Sequence, residues 1–221
     1  MINCYGCRMA EPAPRRTPET SERQRDAERS KRRLLEAAFD EFAAHGFAGA
    51  RVGRIAEAAG VNKQLISYYF GCKEGLYQAM QRSWLDAEAV NANPAVPAAD
   101  TMMWYLRESL SDPRGVRLLL WQALNDDAPD VQDQADYERE QEWMRRRVES
   151  GEFAADLDPE ALQLVFMGMT MMPAAMPHLV RQLFGVEPNS EEFIERYGKT
   201  LRRVLAALAD PPKPPKKGSN P

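Results

Sequence analysis

Histidine and cysteine are scarce in this chain, at two and three among 221 residues. That scarcity removes most metal-centred and nucleophilic chemistry: no cluster has metal-ligand spacing, and no nucleophile has a sequence-level partner. A glycine-rich phosphate loop is also missing. Asp126-Asp127 and Asp156/Asp158 sit at expected helix boundaries and read as end residues rather than an acid pair. Neither an enzyme nor a cofactor is expected. Three cysteines make no disulfide framework, and Cys4-x-x-Cys7 lacks the second pair that would complete a zinc site. No apolar run approaches the roughly 18 residues needed to cross a bilayer. The opening MINCYGCRMAEPAPRR lacks the apolar core of a signal peptide, which predicts a cytoplasmic chain. Period-two alternation is absent, so no strand is predicted.

What is present is an ordinary globular balance, 44% hydrophobic and 28% charged, with the charges unevenly placed. Residues 15–82 hold 13 Lys/Arg against 9 Asp/Glu, whereas residues 91–221 hold 15 against 21. A net charge of −4 therefore conceals a basic N-terminal part, the footprint that a polyanion needs.

Helical periodicity runs through almost the whole chain. Residues 1–20, with Pro12, Pro14 and Pro18, read as a disordered arm. A helix from Ser21 buries Leu35, Ala38, Phe39 and Phe42 and stops at Gly46. A second covers about Val52–Ala59. Gly60 follows as the turn, and Asn62 caps a short helix over Lys63–Phe70. A longer helix starts at Lys73 and runs to about Val90, ended by the proline-bearing segment 91–97. Beyond it come helices over Asp100–Leu110, Gly115–Asn125 and about Asp130–Ser150. An apolar helix opens at Asp158-Pro159 and is expected to kink or break at Pro173 and Pro177. The last helix spans about Glu191–Ala209, and DPPKPPKKGSNP trails as an extended tail.

Residues 51–76, RVGRIAEAAGVNKQLISYYFGCKEGL, carry the spacing of a helix-turn-helix, in which one helix braces and the next enters the major groove. The run AGVxKxxxxYYFxxKExL, with Gly46-Phe47 and Ile55-Ala56 before it, resembles the tetracycline-repressor (TetR) family of bacterial transcription regulators. The resemblance covers Ser21 to about Tyr77; the rest matches in style only. It implies an all-α fold: a three-helix DNA-binding domain over 21–72, a connecting helix over 73–91, and a larger helical ligand-binding and dimerisation domain over 92–209, followed by the tail 210–221. Carried over residue by residue, it implies DNA contacts from Asn62, Lys63, Gln64, Ser67 and Tyr68, with Lys73 at the DNA backbone. The chemistry agrees: Gln pairs with an adenine edge, Lys reaches guanine or phosphate, and Ser and Tyr hydroxyls donate to phosphate.

Two positions depart from the family pattern. Ala50-Arg51 replaces a Thr-containing pair that caps the second helix. Arg51 can supply the phosphate contact, but the cap is expected to be lost, at about 1 kcal/mol. Cys72 replaces a capping Ser, and its thiol beside basic residues is a candidate for oxidation. The basic run Arg29, Lys31, Arg32 and Arg33, with Arg15 and Arg16, reads either as a solvated face or as a phosphate-tracking arm.

A lone helix-turn-helix reads few base pairs, so a homodimer on a palindromic operator is expected. The resemblance puts the interface on the last two helices, with Phe166, Gly168, Ala174, Ala175, Leu201 and Leu205; an ordinary core explains the same residues. Met102, Met103, Trp104, Leu106, Trp121, Met144, Phe166, Met167 and Met171, with Asn125, Gln122, Gln141 and His178, read either as core or as a pocket for a small hydrophobic or aromatic effector. The expected function is an operator-binding repressor released by that effector. A body that recognises a protein partner is the alternative.

Overall fold

The computed structural model describes residues 20–89, 95–125 and 134–209. The arm with its Cys4-x-x-Cys7 and Arg15-Arg16, most of the expected boundary at 91–97, the Asp126-Asp127 pair and the Pro/Lys tail lie outside them. Ten helices and no strand make up the described residues: α1 Thr20–Gly49, α2 Val52–Ala59, α3 Gln64–Phe70, α4 Lys73–Ala89, α5 Ala98–Ser111, α6 Arg114–Leu124, α7 Gln134–Glu149, α8 Pro159–Ala175, α9 Pro177–Phe184 and α10 Glu191–Ala209. None is long and apolar enough to cross a membrane.

The local signals act as their chemistry dictates. Gly46 breaks α1 at φ 66°, ψ 177°, and one further turn carries the helix to Gly49. Gly60 closes α2 in the left-handed region, where a Cβ would be strained. Asn62 accepts the backbone N–H of Gln64 at 2.8 Å, an N-cap bond at the start of α3. Asp158 does the same for Ala161 at 2.8 Å and opens α8.

Of the two expected positions, the break comes at Met176, before Pro177, while α8 continues through Pro173. A proline cannot donate to the carbonyl four residues earlier. Here that carbonyl belongs to Met169, and the Tyr197 hydroxyl of α10 donates to it at 2.8 Å. A side chain 28 residues away fills the gap in the ladder.

Two cores result. The first joins Leu34, Ala38, Phe42, Ile55, Ile66, Leu76 and Tyr77, drawing on α1 to α4, with Leu118 of α6. Phe42 and Phe47 meet the Tyr77 ring edge-on at 4.8 and 5.1 Å. Each such side chain contributes about 1.5–3 kcal/mol through burial. The second core packs Met102, Leu106, Met144, Phe153, Phe166, Phe193 and Leu201 from α5, α7, α8, α10 and the turn before α8. Arg147 lies buried against this body, paired with Glu152, donating to the Val96 carbonyl at 2.7 Å and stacked over Trp143 at 4.1 Å.

Candidate nucleic-acid interface

The short α3 presents two faces because its apolar residues fall on one side. Ile66 is 2% exposed and packs into the first core, while Leu65, Tyr69 and Phe70 are half-buried against it. Asn62, Lys63, Gln64, Ser67 and Tyr68 are all exposed on the opposite side, Tyr68 at 79%. The Tyr68 ring meets Tyr69 edge-on at 5.1 Å and leaves its hydroxyl end to solvent. The Gly60 turn and the α2 residues Ile55, Ala56 and Ala59, all buried, fix the angle at which this face projects. No described residue forms an ion pair with Lys63. Its ammonium is therefore unneutralised beside the amides of Asn62 and Gln64.

The start of α2 is better held than the sequence suggests. Arg51 gives no side-chain cap, in line with expectation. Glu41 of α1 supports this entry in another way, accepting the Arg51 backbone N–H at 2.8 Å and the Arg54 guanidinium at 2.7 Å. His45 stands 3.7 Å from the same carboxylate. Burial alone would raise the Glu41 pKa. The hydrogen bonds from Arg54 and the Arg51 N–H, with the charges of Arg54 and His45, outweigh that and hold it below the usual carboxylate range. The Arg51 guanidinium has no ion pair among the described residues and stays exposed. The partnership of Glu41 and Arg54 spans 13 residues and leaves no local signature in the sequence.

Lys73 opens α4. Its ammonium donates to the Ala48 carbonyl at 3.3 Å and lies 4.8 Å over the Phe47 ring, tying α4 to the end of α1. Cys72 is exposed, and its thiol donates to Glu74, which lowers the Glu74 pKa. Arg29 and Lys31 make local pairs with Asp26 and Glu28 on the exposed side of α1.

The expected effector residues are brought together only in part. Met102, Met103, Leu106, Met144 and Phe166 are buried in the second core. Trp104 and Met171 are half-buried, Met167 is 38% exposed, Gln122 and Gln141 are half-buried, and His178 is exposed. Trp121 and Asn125 lie elsewhere, against the N-terminal helices. The Trp121 indole donates to the Ala43 carbonyl at 3.3 Å, and the two residues line a cavity of about 130 Å³ with His45, Phe47 and Tyr77.

The expected interface residues also separate. Phe166, Leu201 and Leu205 are buried within the protomer, Ala174 and Ala175 are half-buried, and Gly168 is exposed with open space before it. The uncovered apolar area here includes Leu164, Val165, Met172, Met176, Leu183 and Val204, with Leu164 at 72% and Leu183 at 73% exposed.

Comparison with known proteins bears on the family to which the chain is similar. Residues 34–80 match the model of bacterial regulatory proteins of the tetR family. The chain is 32% identical over 191 residues to the HTH-type transcriptional repressor SCO4008 of Streptomyces coelicolor, spanning 82% of this chain and 97% of that protein. It is 29% identical over 199 residues to the HTH-type transcriptional regulator RutR of Escherichia coli, spanning 84% and 93%. Among solved structures, the putative transcriptional regulator SCO4942 of Streptomyces coelicolor superposes with a TM-score of 0.67 at 25% identity, over 79% of this chain and 97% of that one.

Proposed function

Because the chain belongs to the tetR family of bacterial regulatory proteins, a family of DNA-binding transcription regulators, we propose that it is a repressor that binds a palindromic operator as a homodimer. The observation that carries this reading is the exposed polar face of α3, where Asn62, Lys63, Gln64, Ser67 and Tyr68 stand together on a buried apolar underside. In this reading Gln64 and Lys63 read base edges, while Ser67, Tyr68, Asn62 and Arg51 meet phosphates. Lys73 braces the head through Ala48 and Phe47, and its remaining donors serve the DNA backbone.

Two copies join through the outward apolar residues of α8, α9 and α10, chiefly Leu164, Met172 and Leu183, which water would otherwise cover. Gly168 and Ala175 let the helices approach closely. The body, residues 92–209, takes a small hydrophobic or aromatic effector among α5, α7 and α8, where Met103, Met144, Phe166 and Met171 are adaptable and polarizable. Effector binding favours a spacing of the two heads that no longer fits the operator.

The test is a titration of the full chain against labelled DNA from upstream of its own gene. The expected result is a saturable complex that scrambled DNA of equal length and composition does not compete away. Equal competition by the scrambled DNA would end the operator reading.

A further inference from the structure

Arg114 begins α6 on the body side, yet its guanidinium reaches two carboxylates of α1. It donates to Glu36 at 2.6 Å and to Asp40 at 2.8 Å, while Asp112 at the preceding turn holds its other edge at 2.6–3.0 Å. The plane also lies 4.4 Å over the Phe39 ring. Hydrogen bonding to Asp112 first, then to Glu36 and Asp40, outweighs burial and raises the guanidinium pKa.

The neighbouring residue adds the connecting helix to this node. A Cβ on Gly115 would stand 2.7 Å from the Trp84 ring of α4, so only a glycine admits that contact. Trp84 in turn lies against Phe39, with ring centroids 6.4 Å apart. Two turns further along α6, Trp121 fits against Gly46, where a Cβ would be 2.9 Å from the indole. The body is thus held on α1 by an ionic node at Arg114 and an aromatic contact at Trp121, on either side of the buried Leu118.

We propose that Arg114 is a positioning residue for operator binding: the ion-pair node with Glu36 and Asp40 sets the orientation of the reading head on the body. This rests on the operator reading above. Arg114 touches no part of the proposed DNA face. Its effect is preorganisation, because a dimer whose heads are fixed in orientation loses less conformational freedom on reaching two half-sites. Three carboxylates around one guanidinium make the node selective for a cation at this position, and the Phe39 ring favours a planar one.

The experiment measures operator affinity by fluorescence anisotropy for the full chain carrying Arg114→Glu, Glu36→Lys/Asp40→Lys, and all three substitutions together. Each parent should weaken binding at least about tenfold, and the combination should return to within about threefold of wild type, the behaviour of a directly coupled pair. The lysine pair is the decisive arm. It makes the chain more cationic, so a generic electrostatic effect tightens binding, whereas misplacement of the head weakens it. Tighter or unchanged binding by that variant overturns the inference, as does a combination no better than its worse parent. Arg114→Gln provides a milder variant should the reversals fail to fold; with a cooperative melt and wild-type affinity, it too overturns the proposal. The slope of log affinity against log salt should stay at the wild-type value for Arg114→Gln. A slope reduced by about one would make Arg114 a direct phosphate contact instead. Wild-type chain that does not prefer its own upstream DNA removes the operator reading itself, and with it this inference.

Discussion

Glu41 of α1, 11% exposed, receives the guanidinium of Arg54 and the backbone N–H of Arg51 on the same oxygen. One carboxylate thereby closes an orphan donor at the entry to α2 and anchors the brace of the helix-turn-helix to the helix behind it. Where Ala50-Arg51 gives no side-chain cap, the entry to α2 is held by a carboxylate ten residues upstream.

Replacing Glu41 by Ala is expected to lower stability by about 2 kcal/mol, the scale for charge-assisted bonds with little water around them. Glu41→Gln should cost less, since the amide oxygen can still accept one N–H. The pH dependence has a definite sign. Because the folded-state pKa is lowered from 4.5, the stabilisation is complete above about pH 4.5 and is lost as pH falls through the lower folded value. Melting temperatures of wild type and Glu41→Gln should therefore differ at neutral pH and converge in acid. A constant gap across that range would count against the assignment.

The Tyr197 hydroxyl and Pro173 make a second testable pair. Tyr197→Phe leaves the Met169 carbonyl without its donor and should cost about 1–2 kcal/mol. In a Pro173→Ala background the alanine N–H can bond to that carbonyl, so the same Tyr197→Phe change should cost measurably less. Chemical denaturation of the four chains gives the coupling energy, expected at about 0.5–1 kcal/mol. Strictly additive costs would separate the two residues.

Leu164 and Leu183 test the proposed dimer surface without entering the core, since both are largely exposed in the protomer. Glutamate at both positions should convert a dimer into a monomer by light scattering at micromolar concentration, with the helical content of circular dichroism retained. The doubly substituted chain should also lose operator affinity, since two half-sites then bind independently. An unchanged dimer mass would move the interface elsewhere.

Helix ends were readable because their causes are local. Gly60, Asn62 and Asp158 each act within three or four residues, and the end of α2 and the start of α8 follow from such signals. The apolar underside of α3 was also legible from spacing, with Ile66 buried and Tyr68 outward. Long-range substitutions of one partner for another were not. Nothing near Ala50-Arg51 announces Glu41, and nothing near Pro173 announces Tyr197. The apolar run LQLVFMGMTMM carries no polar stripe, so its periodicity could not tell which side faces the core; Phe166 faces inward and Leu164 outward. Trp121 illustrates the same limit. A tryptophan on an apolar helix face declares a packing partner without naming it, and here the partner is Gly46 of the head.

The most direct test of the whole account is the salt-dependent operator affinity of a Lys63→Ala/Tyr68→Ala chain beside wild type. Both side chains are exposed on α3, so the fold should survive and the melting temperature should scarcely move. The double substitution is expected to cost about 2–4 kcal/mol of operator affinity and to reduce the salt slope by about one, for the cation removed. Wild-type affinity and slope across the salt series would contradict it, and α3 would not be the helix that reads DNA.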